Sequence, residues 1–159
     1  MSRQMSDRAW YEDVPVPSLM REARDVYRDA VVRELTAAGY DDIPRNGAFV
    51  LTGLDQSTSE PKFSPQSDVI ASLGLSKQAA SQLIDTLVLR DYVERRTDPQ
   101  DRRRMEVRLT DRGSTAAIAI RTAIDAIDAA LAQLVTADEL RGLRAGLAAF
   151  REIREHAAD

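Results

Sequence analysis

Two short stretches of this chain carry side chains whose types and spacing suit contact with a nucleic acid. The first is Ser76, Lys77, Gln78, Ser81 and Gln82, which share the polar face of a segment with helical periodicity. A helix enters the DNA major groove with its first turns toward the base edges, where short polar or basic side chains are needed. Glutamine can hold adenine through two hydrogen bonds, lysine can reach guanine or phosphate, and serine can take either phosphate or base. The second stretch is Arg102, Arg103 and Arg104. Three guanidinium groups on a projecting loop suit a narrow minor groove, whose negative potential attracts them. Asp101, two residues before Arg103, is placed to brace that arginine through a carboxylate–guanidinium pair. Each stretch also has a plainer explanation. Amphipathic helices routinely have a polar face, and charge runs are commonly just solvated.

The surrounding elements decide between these readings. Leu19, Ala23, Tyr27, Ala30, Val31 and Leu35 predict a helix over Ser18 to Ala38, closed by Gly39. A second helix is expected to open near Pro44, whose fixed φ suits a first turn, and to carry Phe49, Val50, Leu51 and Leu54. The polar run Asp55 to Lys62 reads as a loop. Ser64-Pro65 reads as a cap followed by a proline in the first turn of a short helix that stops at Gly74. A further helix from Lys77 to about Arg90 has the apolar stripe Ala80, Leu83, Ile84, Leu87 and Val88, opposite the polar face described above. Val93 to Arg96 and Met105 to Leu109 show partial strand alternation and flank the arginine tip, which makes them a β-hairpin with a long loop. Thr110 caps a long helix whose Ile120, Ile124, Ile127, Leu131 and Leu134 form a heptad-type seam. Thr136 to Glu139 has the capping-box pattern and opens a last helix bearing Leu140, Leu143, Leu147, Phe150 and Ile153.

Helix, short helix, tight turn, helix and hairpin in that order make a winged helix-turn-helix. The expected fold is mainly α with a small β-hairpin wing. An arm over residues 1–17 precedes it; residues 43–109 form the DNA-binding lobe, and residues 18–42 with 110–159 form a helical dimerisation region. The long helices carry apolar faces that one small domain struggles to cover.

Composition sets the limits. The chain has 159 residues, about one domain by the usual prior, and 43% of them are hydrophobic, enough for a core. Its formal net charge is −4, which argues against a nonspecific nucleic-acid coat but not against a reader with localised basic residues. From Arg95 to Arg112, seven arginines face four acidic residues, a local net +3. No apolar run reaches the length of a membrane span, and the first residues lack the apolar core of a secretory signal, so a cytoplasmic address is expected. With no cysteine and a single histidine, His156, neither a metal site nor a cofactor is expected.

Four segments together resemble the central block of the MarR family of transcriptional regulators. They are Leu83-Ile84-Asp85-Thr86-Leu87, Asp91-Tyr92-Val93-Glu94-Arg95-Arg96, Asp98-Pro99-Gln100-Asp101-Arg102-Arg103 and Leu109-Thr110-Asp111-Arg112-Gly113. The resemblance covers about 50 residues, and the wing with its trailing Leu-Thr-x-x-Gly is its most specific part. It implies a homodimer that reads a pseudo-palindromic double-stranded DNA operator, with the helix from Ser76 as the recognition helix. It implies a repressor responsive to a small aromatic or phenolic effector. Tyr27, Phe49, Arg21 and Arg24 are candidate effector contacts, although amphipathic helices supply such residues routinely, and no effector site is assigned. Asp91-Tyr92 departs from the family's glycine-leucine, and Ala79 and Gln82 stand where hydroxyl and arginine side chains are frequent. The operator therefore cannot be borrowed from relatives.

Two rival functions compete with this one. An enzyme has no supporting constellation: there is no Gly-rich phosphate loop, no metal-ligand spacing and no nucleophile elbow. A winged helix used for protein–protein contact, or a regulator that has lost DNA binding, is favoured by the acidic balance and opposed by the arginine tip.

Overall fold

A computed structural model describes residues 9–55 and 62–156. Most of the expected loop from Asp55 to Lys62, and residues 1–8 of the expected arm, lie outside the described residues. A 3-10 turn, Trp10–Asp13, leads into α1, Val16–Ala37. Helix α1 begins earlier than expected because Val16 and Pro17 occupy its first turn. There the missing N–H of proline has no intrahelical acceptor to lose.

Helix α2 spans Gly47–Leu54 and starts later than expected. Pro44 belongs to a turn, its carbonyl accepting the Gly47 N–H at 2.7 Å. Asn46, the residue before the helix, has φ of 68° and so breaks any helical run from Pro44.

Ser64–Pro65 corrects a second expectation. These residues form the short edge strand β1, which pairs antiparallel with Val107 and Glu106. An edge strand tolerates a proline, which has no N–H for the ladder. Helix α3, Gln66–Ser72, then starts one residue later. Gly74, at φ +62°, turns the chain into Ser76, which caps α4, Lys77–Leu89. Strands β2, Val93–Thr97, and β3, Met105–Leu109, complete a sheet of order β1-β3-β2. Helix α5, Asp111–Leu134, and α6, Ala137–His156, follow. Mainly helical with a small antiparallel wing, the chain has the expected fold class.

One core serves both halves. Leu83, Ile84 and Leu87 of α4 meet Val50, Leu51 and Leu54 of α2, Val93 and Val107 of the wing, and Ala116, Ala117 and Ile120 of α5. The heptad-type seam divides along its length. Ile120 is buried and the next three members are half-buried, whereas Leu134 is 82% exposed. Helix α1 runs along α5, and Tyr27 donates its hydroxyl to Asp128 across that contact. Among the described residues, α6 makes no extended packing with another element of the chain. Its capping box forms as expected: Thr136 N–H donates to Glu139 at 2.7 Å, and Glu139 N–H donates to the Thr136 hydroxyl at 3.3 Å. Leu143, Leu147, Phe150 and Ile153 remain exposed along it.

The join between wing and α5 explains the Leu-Thr-x-x-Gly segment. Thr110 caps α5 by accepting the Gly113 N–H at 3.0 Å and donates its hydroxyl to the Asp91 carbonyl at 2.6 Å. A Cβ on Gly113 would lie 1.9 Å from the carbonyl oxygen of Tyr92, so no side chain fits there. Asp91 itself sits at φ 60°, which accounts for the family's glycine at this helix exit.

Gly113→Ala should lower stability by roughly 2–3 kcal/mol, because backbone must move to admit the methyl group. Asp91→Gly should stay within about 1 kcal/mol of wild type, relief of the left-handed strain offsetting the added entropy of the unfolded chain. Urea denaturation of the two variants checks both. A second expectation concerns Tyr27, whose pKa is pushed up to about 12, first by its hydrogen bond to Asp128 and then by burial and the Asp128 charge. The fold thus favours the neutral phenol. Its contribution is complete below the ordinary pKa of about 10 and is lost as pH rises through that value toward 12. In parallel urea titrations over this range, Tyr27→Phe should lose less stability than wild type.

Candidate nucleic-acid interface

The polar face of α4 is largely open to solvent. Lys77, Gln78 and Gln82 are exposed, and Ser81 is half-buried beside them. Ser76 has a defined local task as well, since its side-chain oxygen accepts the Ala79 N–H at 3.2 Å. Its hydroxyl hydrogen remains free to donate outward. The opposite face of the helix is held by Ala80, Leu83, Ile84 and Leu87, all buried. Core packing alone therefore fixes which residues α4 turns outward.

The wing arranges its charges by strand alternation. Glu94, Arg96, Glu106 and Arg108 stand on one face of the hairpin, in register as Glu94 with Arg108 and Arg96 with Glu106. Arg108 pairs with Glu94, and Arg96 with Glu106 at 2.8 Å. On the other face Val93 and Val107 enter the core, while Arg95 reaches back to Asp85 of α4 at 2.6 Å. Asp85 is seven residues, about two turns, beyond Gln78, so that pair ties the wing to the C-terminal end of the same polar face of α4. The ordinary worth of such partly exposed pairs is about 0.2–1 kcal/mol each. Their contribution here is chiefly geometric.

At the tip, the chain closes through its own hydrogen bonds. Asp98 N–H donates to the Arg104 carbonyl at 3.0 Å, and Arg104 N–H to the Asp101 carbonyl at 2.9 Å. Asp101 corrects the expected brace. Its carboxylate accepts the backbone N–H of Arg103 at 3.0 Å and pairs with the side chain of Arg104 at 3.4 Å, not with the Arg103 guanidinium. Being bonded to the loop backbone, it is turned toward the i+3 side chain. Arg102 and Arg103 are exposed, and their guanidinium groups meet no carboxylate among the described residues. Of the three tip arginines, these two carry uncompensated charge.

A polar cluster absent from the sequence-level candidates sits where the lobe meets the helical region. Tyr92 donates its hydroxyl to Asp42, and Arg112 donates to Asp42 and to the Tyr92 hydroxyl oxygen, both at 3.0 Å. The Arg112 guanidinium also lies 4.6 Å from the Tyr92 ring centroid. The Tyr92 hydrogen bond, helped by the Arg112 charge, holds the Asp42 carboxyl below its usual range. Burial first, then the bond to Asp42, pushes the Tyr92 phenol up. No sequence motif announces this cluster, because Asp42 is 50 residues from Tyr92. The strand charges were more legible: acid and base two residues apart in both strands is the spacing of a cross-strand ladder.

The candidate effector contacts are dispersed in role. Tyr27 is committed to Asp128, whereas Arg21, Arg24 and Phe49 are exposed, Phe49 by 67%. Among the described residues no group of His, Cys, Asp and Glu could hold a metal ion, and no helix is long and apolar enough to cross a membrane.

Comparison with known proteins places this geometry. The model of the MarR family matches residues 57–104, from the segment before β1 to the wing tip. Among solved structures, the chain is similar to S. aureus MepR in its DNA-binding conformation, at 20% identity and a TM-score of 0.70, covering 87% of this chain and 97% of that one. It is similar to a MarR family transcription regulator at 22% identity and a TM-score of 0.71, covering 91% and 89%. It is also similar to Streptococcus pneumoniae FabT, solved in complex with DNA, at 16% identity and a TM-score of 0.69, covering 89% and 99%. No curated protein sequence matches it. The chain shares the fold of these solved structures over most of its length, and its segment 57–104 is similar to the MarR family.

Proposed function

We propose that this chain, whose winged module is similar to the MarR family, is a sequence-specific regulator of transcription that binds double-stranded DNA as a homodimer. Helix α4 lies in the major groove and reads bases through Ser76, Lys77, Gln78, Ser81 and Gln82. The wing tip enters the minor groove with Arg102 and Arg103, and Arg104 supports them from its pair with Asp101. The observation that carries this reading is the pair of uncompensated guanidinium groups at the end of a braced hairpin, beside a helix whose outward face is short and polar. The DNA-bound neighbours support it through their shared fold.

Residues 43–109 form the reading lobe, and residues 18–42 with 110–159 form the dimerisation region. Exposed Leu143, Leu147, Phe150 and Ile153 on α6 supply the apolar surface that a second copy would cover. A two-fold dimer reads a pseudo-palindrome with half-site centres about 10 base pairs apart. Seated on a promoter, it blocks access to that site, which makes repression the proposed outcome and the cytoplasm the proposed location. A small aromatic or phenolic effector would relieve it, a role supported by the family resemblance alone.

Fluorescence anisotropy across a salt series, with the promoter duplex beside the chain's own gene, tests the DNA reading. Affinity should fall steeply with salt, and Arg102→Ala with Arg103→Ala should reduce the slope by roughly 0.9 for each phosphate charge no longer neutralised. Gln78→Ala should instead change the preference at particular base pairs, by about 1–3 kcal/mol for a lost bidentate contact. Absence of salt-sensitive binding to any duplex would sink the regulator and leave a protein-interaction module. Light scattering after size exclusion should give twice the chain mass, and Leu143→Glu with Phe150→Glu should return it to one chain; a monomeric wild type would refute the dimer.

A further inference from the structure

Phe63 lies just before β1, and its ring faces two cations of the wing. The Arg96 guanidinium of β2 is 3.6 Å from the ring centroid, and that of Arg108 in β3 is 4.5 Å away. These are the same arginines that pair across the hairpin with Glu106 and Glu94. Each guanidinium is therefore held twice, edge-on by a carboxylate and face-on by the ring, as a planar cation permits. Arginines so engaged are poor donors to a phosphate. They serve better as attachment points.

We propose that Phe63 is a positioning residue for DNA reading: it fastens the outer face of the wing hairpin to the β1–α3 segment that follows Phe63 in the chain, so that Arg102 and Arg103 meet the groove at a fixed angle. The proposal rests on the DNA-binding function argued above. Three observations carry it. Phe63 reaches the hairpin from outside, where the sheet's own link to β1 is only the two residues Ser64 and Pro65. Its two contacts fall on both strands of the stem, so they oppose rotation of the hairpin and not merely bending of one strand. Beyond them the tip is closed by its own backbone bonds, from Asp98 to Arg104 and from Arg104 to Asp101. Tip and stem thus move as one body, and an angular error at the stem is magnified at the arginines. The Arg95–Asp85 pair secures the opposite face of the hairpin, so Phe63 completes a two-sided clamp.

The test compares wild type with Phe63→Leu, which keeps apolar bulk but removes the π face, and Phe63→Trp, which keeps it. Hydrogen exchange of the free protein reports on the Asp98 and Arg104 amides, thermal unfolding reports on the lobe, and anisotropy with the same promoter duplex reports on binding. Phe63→Leu should speed exchange at the wing while the amides of α4 keep their protection. Its affinity at fixed salt should fall about tenfold, the order set by losing two partly exposed cation–π contacts. Phe63→Trp should bind and exchange like wild type. If Phe63→Leu matched wild type in exchange and affinity, the proposal alone would be overturned. It would be overturned equally if affinity fell only in step with global unfolding, with exchange rising throughout the lobe. A wild type that bound no duplex would overturn the DNA reading beneath it, and DNA positioning with it.

Discussion

The carbonyl oxygen of Tyr92 accepts the Thr110 N–H at 3.2 Å, and the Cα of Gly113 passes so close that a methyl group there would be 1.9 Å from it. Around this one atom the chain leaves α4, starts the wing, returns from it and enters α5. Its neighbours reinforce the crossing. Thr110 satisfies both the exit of α4, at the Asp91 carbonyl, and the start of α5, at the Gly113 N–H. Arg112, one residue before the close approach, then binds Asp42 and Tyr92 and brings in the connection between α1 and α2. A reading helix and a wing can act together on DNA only if their relative placement is fixed. Here it is fixed where their ends meet, and the apolar core behind them supplies the rest.

The wing then sorts its arginines by alternation. In the proposed approach of this acidic chain to a polyanion, little is gained from basic residues already neutralised by their own neighbours. Arg95, Arg96 and Arg108 each have a carboxylate partner, and Arg104 shares Asp101 with the loop backbone. These pairs leave the stem nearly neutral and stiff. Arg102 and Arg103, exposed at the tip, keep their charge uncompensated. The local excess of positive charge visible in the sequence is thus concentrated further by folding.

Much of this is legible in the sequence. The 3.6-residue stripe of α4 specifies its buried face, because a stripe that regular can pack in only one orientation, and the polar face follows. The alternation of β2 and β3 and the cap at Thr110 are equally plain, since both are local. What escapes depends on distant partners or on residues with two uses. Ser64-Pro65 satisfies the rules for a helix start, yet the strand Met105–Leu109 offers an edge that claims it. Pro44 suits a first turn, but Asn46 in the left-handed region puts the helix start beyond it. Phe63 adjoins a polar run and gives no periodic signal, so its stack on two arginines needs the sheet to be assembled first. The Asp42–Tyr92–Arg112 cluster joins three elements, and nothing in the spacing of those residues pairs them.

The geometry also bears on how the two halves communicate. Helix α5 has 24 residues, which makes it about 36 Å long at 1.5 Å per residue. That is close to one turn of B-DNA, the separation expected between the two reading heads of the proposed dimer. The helix is gripped at its start by the Tyr92 junction and along its side by α2 and α1, the latter as far as Asp128, while its far end and α6 expose apolar surface. A rod held in this way transmits tilt better than it absorbs it. Whatever covers the exposed far end of α5 bears on the direction of that helix, and α5 shares the core that seats α4 and the wing. By this reasoning, the surface proposed to hold two chains together and the surface proposed to read DNA are opposite ends of one lever. A change in the packing of the first would be felt at the second without any side chain at the DNA face being touched.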